Sequence, residues 1–120
     1  ELMGVLRAHV EVPPAEPRAP GPFAFEDLAY LEEVLTAGGF STMEVEPYSG
    51  QQAVGGKGAT PDEAVGFVLG SLGIGRVLDE QPEAIRKAAS ADLKSLFESN
   101  YVEGAGPLFG CKAWLVSTTA

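Results

Sequence analysis

Apolar and polar positions alternate along this chain with two periods, and the change between them marks its elements. "LMGVLRAHV", residues 2–10, places Leu2, Val5 and Leu6, with His9 alongside, on one side of a short helix that Gly4 weakens. "EVPPAEPRAPGP" follows with five prolines in twelve residues. Proline fixes φ and removes a donor, so this stretch is an extended connector. The clearest helix is Asp27–Ala37. Asp27 caps it, and Leu28, Leu31, Val34 and Leu35 form one apolar stripe. Gly38 and Gly39 end it, as left-handed residues at a helix C-terminus do. The period then drops to two. In Ser41–Tyr48, Met43 and Val45 share one face and Glu44 and Glu46 the other, a strand with one wet face. Pro47 makes it an edge strand or bends it.

"GQQAVGGKGA" reads as loop. A phosphate-binding loop needs glycine, four residues, then glycine, lysine and Ser/Thr. Here Gln51 stands where the first glycine belongs and Gly58 follows Lys57, so the pattern fails. Thr60-Pro61-Asp62-Glu63 is a strong helix start with a capping box. It predicts a helix over Thr60–Val77, apolar on most of its circumference and packed on several sides. "GSLGIG" inside it has the wrong spacing for a dinucleotide fingerprint and reads as small residues at close packing. A further helix runs from Pro82 to about Asn100, with Ile85, Ala88, Ala89, Leu93, Leu96 and Phe97 as its buried face. "YVEGAGPLFG" reads as a turn. Cys111–Thr118 closes the chain as a strand, apolar on both faces and so expected to be covered.

Composition narrows the function classes. The 120 residues are 45% hydrophobic, an ordinary globular content for one domain. The net charge of −9 repels a phosphate backbone, which argues against nucleic acid as a partner. No apolar run is long enough for a membrane span, and no signal peptide is visible. The single cysteine, Cys111, excludes an internal disulfide and is expected to be a buried, inert thiol. A cytoplasmic protein fits these features best. No His/Cys/Asp cluster has metal-ligand spacing, so no metal is expected. His9, the only histidine, has no evident catalytic partner in the sequence. Glu26 and Asp27 are explained by capping more simply than as a carboxylate pair. No catalytic residue is assigned.

In order, "GPFAFEDLAYLEEVLTAGGFSTMEVEP", "TPDEAVGFVLG", "AIRKAASADLKSLFE" and "GPLFGCKAWLVST" resemble the last part of class I S-adenosylmethionine-dependent methyltransferases, of the bacterial small-molecule type. The resemblance covers residues 20–119. It implies an α/β fold: the C-terminal part of a Rossmann-like methyltransferase fold, with two antiparallel strands and about four helices. The whole of residues 1–120 is then one partial domain, with residues 61–100 a helical insert that covers the substrate. The loop before Asp27 resembles the one leaving the fifth strand, and Ser41–Tyr48 and Cys111–Thr118 resemble strands six and seven. Leu28 stands where a proline is common in relatives.

By the same resemblance Phe23 lines the substrate side, and Phe67 and Leu72 are candidates for doing so from the cover. The intact parent would bind S-adenosylmethionine and a small-molecule substrate. This chain alone has no strand leading into the Gly-rich turn that holds such a cofactor, so no residue of it is assigned to cofactor binding, and the chain alone is expected to be inactive. A cut sheet exposes an edge and apolar faces, which implies self-association or a bound upstream segment. The alternative is a free-standing, non-catalytic α+β domain for binding or dimerisation. Upstream coding sequence separates the two: a strand and Gly-x-Gly turn favour the methyltransferase, and a start codon at or near Met3 favours the free-standing domain.

Overall fold

A computed structural model describes residues 2–14 and 16–120. It is an α/β structure of five helices and a three-stranded antiparallel sheet. The elements are α1 (Leu2–Arg7), α2 (Leu28–Ala37), β1 (Met43–Ala53), α3 (Pro61–Ser71), α4 (Gly73–Asp79), α5 (Glu83–Ser99), β2 (Tyr101–Val102) and β3 (Gly106–Thr118). The strand order is β1-β3-β2. The backbone bonds Ser41 N–H to Thr119 C=O and Val54 N–H to Pro107 C=O bracket β1 and β3 as an antiparallel pair. The expected pairing of the two long strands in one sheet therefore holds. Pro47 lies on the edge strand β1, where a missing donor is tolerated.

The chain divides into two compact units, threaded by both long strands. Unit 1 comprises residues 1–12 and 50–111, and unit 2 residues 13–49 and 112–120. Unit 1 holds the core. Ala89, Leu93 and Phe97 recur every fourth residue along α5 and are fully buried. Against that stripe α1 brings Leu6, α3 brings Ala64 and Val68, and α4 brings Ile74 and Leu78. Phe97 meets Phe109 of β3 edge to face, with ring centroids 5.8 Å apart. His9, just past α1, pairs through Nε2 with Asp92 Oδ2 of α5 at 2.5 Å.

Several sequence expectations are corrected. The helix expected over Thr60–Val77 is two helices, broken at Leu72, whose backbone is extended (φ −100°, ψ 149°). The break lets Gly75 come so close to α3 that a Cβ there would lie 1.7 Å from the Leu69 carbonyl oxygen. "GSLGIG" thus serves close packing, as read, but by interrupting the helix. α3 is also less enclosed than its composition implies: only Ala64 and Val68 are buried, and Gly66 and Phe67 are exposed. Ala88 of α5 is exposed too. β1 runs on to Ala53, so Gly50–Ala53 is strand rather than loop, because pairing with β3 overrides weak local propensity. "YVEGAGPLFG" is a hairpin: Tyr101 pairs with Pro107 and Val102 with Gly106, making a third strand. Cys111 is half-buried rather than buried. The end of β3 is not covered: Trp114 is 43% and Leu115 53% exposed.

Unit 2 is α2, the first part of β1, the end of β3 and the loop before α2. Asp27 caps α2 as expected, its Oδ1 accepting from the amides of Ala29 (3.0 Å) and Tyr30 (3.4 Å). At the other end Phe40 N–H donates to Leu35 C=O and Gly39 N–H to Thr36 C=O, with Gly39 at φ +90°. These paired bonds are the Schellman arrangement, and the positive φ is what calls for glycine. Among the described residues of unit 2 none is buried.

Candidate functional site

An open cleft of about 910 Å³ is built wholly within unit 2. Three pieces of chain form it: Pro22 to Glu26 with Leu31, Pro47 to Ser49 of β1, and Lys112 to Val116 of β3. Four aromatic rings, Phe23, Phe25, Tyr48 and Trp114, stand in its walls. The volume is that of a site for a drug-sized molecule.

Each wall has a local cause. Successive side chains of a strand point to opposite faces, so Lys112, Trp114 and Val116 share one face of β3 and line the cleft together, with Ala113 between them also at its wall. The Trp114 indole N–H donates to the Glu26 carbonyl at 3.4 Å, orienting the ring across from the loop. The loop itself is braced from behind. Arg18 sits 4.6 Å over the Tyr30 ring and 3.7 Å from Asp27 Oδ2, and Phe25 stacks on Tyr30 at 5.9 Å. These exposed contacts are individually weak, but together they hold the aromatic loop at the start of α2. Glu26 and Lys112 are the charged residues among its lining.

Phe23, expected on the substrate side, stands in this cleft and is 76% exposed. Phe67 and Leu72 belong to unit 1, Phe67 exposed on α3 and Leu72 at the α3–α4 break. Trp114, Tyr48 and Lys112 were not singled out for the site from sequence. The alternation of Lys112, Trp114 and Val116 was a legible signal for a shared face. That this face would meet the Phe23 loop was not legible, since the Trp114–Glu26 contact spans 88 positions.

A glycine-rich turn, Gly55–Gly58, joins β1 to α3. Several amides here bond within the fold: Gly56 N–H donates to Ala53 C=O, Gly58 N–H to Ala105 C=O, and Ala59 N–H to Gly56 C=O. The N-terminus of α3 is closed by its capping box, Glu63 N–H to Thr60 Oγ1 and Thr60 N–H to Glu63 Oε2. Among the described residues no group of three His, Cys, Asp or Glu side chains stands as a metal site requires. Nor is any of their helices long and apolar enough to cross a membrane. No family model matches the chain, and neither a curated protein nor a solved structure matches it.

Proposed function

We propose that this chain is the C-terminal part of an S-adenosylmethionine-dependent methyltransferase of the bacterial small-molecule type. It supplies the last two strands of a Rossmann-like sheet and the helices, residues 61–100, that cover the substrate. The observation that carries this reading is unit 2: a helix, a strand and a returning antiparallel strand around an aromatic cleft, without one buried residue among those described. Such an assembly is what the end of a larger sheet looks like when its neighbours are taken away. Beyond Leu108, β3 has β1 on one edge and, among the described residues, no strand on the other, since β2 pairs with Gly106 and Pro107. An unpaired edge is a template for another chain.

Methyl transfer from a sulfonium needs alignment of nucleophile, methyl and sulfur, and exclusion of water. On this reading the chain contributes apolar walls to that task, and the cofactor is held by preceding strands of the parent. The chain alone then self-associates or keeps an upstream segment bound. Calorimetric titration of S-adenosylmethionine tests the reading: micromolar binding by the chain joined to its upstream reading frame, and none by the chain alone. An upstream frame without a strand and Gly-x-Gly turn would sink it. One observation favours a second reading, a free-standing non-catalytic binding or dimerisation domain: unit 1 closes a core of its own. A start codon at or near Met3 would decide for that reading.

A further inference from the structure

We infer that the open edge of β3 pairs with the same edge of a second copy of this chain, antiparallel about a two-fold axis at Trp114; this rests on the reading above, of which it names the self-associating surface and its register. The backbone carries the inference. Thr119 C=O accepts from Ser41 N–H and Pro107 C=O from Val54 N–H, so both ends of β3 turn odd-numbered residues toward β1. Leu108 N–H donates the other way, to Asn100 C=O beside β2. Directions alternate along a strand, so the N–H and C=O groups of Gly110, Lys112, Trp114, Val116 and Thr118 face the open edge. Among the described residues no backbone hydrogen bond from outside the sheet reaches these groups. Donors and acceptors set at strand spacing are matched by another extended strand.

The edge is complementary to itself. The free run, Gly110 to Thr118, is centred on Trp114, so a two-fold axis there pairs the whole run. Trp114 then stands opposite its own copy, Lys112 opposite Val116, and Leu115, 53% exposed, opposite the small Ala113. Lys112 is the only charge of the run and meets no like charge in this register. Such an isologous contact closes at two copies. The sheet's outer strand on the other side, β1, carries Pro47 and the charges of Glu44 and Glu46, which keep an edge single. The β3 run has neither proline nor acid.

Analytical ultracentrifugation of the chain should show a dimer that dissociates on dilution. Ala113 and Leu115 are both exposed, so substituting them asks no core to repack. Ala113→Lys with Leu115→Lys sets like charges directly opposite on both sides of the axis and should weaken the dimer by roughly tenfold. Ala113→Glu with Leu115→Lys makes the same positions attract and should return the affinity to within roughly threefold of the unaltered chain. Hydrogen exchange on the unaltered chain gives a measurement free of how the variants fold: the amides of Lys112, Trp114 and Val116 should exchange more slowly as concentration rises. A chain that stays monomeric overturns the proposal. So does a double-lysine variant that dimerises as tightly as the unaltered chain, or a dimer whose edge amides exchange at one rate at every concentration; either places self-association on another surface. None of these outcomes touches the methyltransferase reading, which fails separately, on the upstream frame.

Discussion

The two units are built from similar residues and differ in what those residues do. Unit 1 buries Leu6, Val68, Leu93 and Phe97 completely, and its helices close around them. Unit 2 has apolar side chains of the same kinds, in Phe23, Phe25, Phe40, Tyr48, Trp114 and Leu115, and leaves every one of them 41% exposed or more. Composition therefore does not separate a core from a surface. What separates them is whether the chain supplies the second layer. α5 finds α1, α3 and α4 against its stripe, whereas Leu31 of α2 and the Lys112–Val116 stretch of β3 line an open cleft with β1 and the loop before α2. Apolar surface left in water on that scale marks a place of interaction.

The largest expected effect breaks this contrast or sharpens it directly. Phe97→Ala removes a fully buried ring from unit 1 and should destabilise the fold by about 3–5 kcal/mol. Phe23→Ala removes as much ring from unit 2 and should change stability by no more than about 0.5 kcal/mol. Urea unfolding of both variants checks this, and equal losses would show that unit 2 hides a core. Next comes Gly75→Ala, whose Cβ has backbone 1.7 Å away; it forces α4 off α3 and should cost about 3 kcal/mol. Gly39→Ala in unit 2 meets nothing within 4 Å and pays only for its positive φ, about 1 kcal/mol. Thermal melts of the pair read the difference between a packing demand and a backbone demand.

Helix caps give a finer comparison. Thr60→Ala opens the capping box of α3 and should lower global stability by about 1 kcal/mol. Asp27→Ala removes the cap of α2, where no core couples the loss to the rest of the fold. Hydrogen exchange should therefore show faster exchange at the start of α2, with the α5 amides unchanged.

The smallest effect is electrostatic. The Asp62 carboxylate, by its hydrogen bond and then its charge, holds Lys94 above the ordinary lysine value. A raised folded value means that the pair's contribution is fully present below the unfolded lysine pKa and is lost as pH rises through the folded one. Lys94→Met should remove that contribution at neutral pH, a small loss because the pair is exposed, and so flatten the alkaline limb of the stability–pH profile. A change confined to the acidic limb would rule out this pair as its source.

Local chemistry was enough for the termini of elements. Asp27 and the Gly38-Gly39 pair bound α2, Thr60 to Glu63 start α3, and the alternation of Met43 to Glu46 makes a strand, because caps and periodicity act over a few residues. The order of elements also placed the two long strands antiparallel in one sheet. Tertiary structure decided what depends on distant partners. Leu72 breaks a helical pattern because Gly75 must pack on Leu69, and Gly50–Ala53 and Tyr101–Val102 become strand because β3 lies beside them. It also decided that Trp114 faces Glu26, and so that the apolar residues of unit 2 form a cleft rather than a core. Burial is a property of pairs of surfaces, and one strand's sequence states only its own half of the pair.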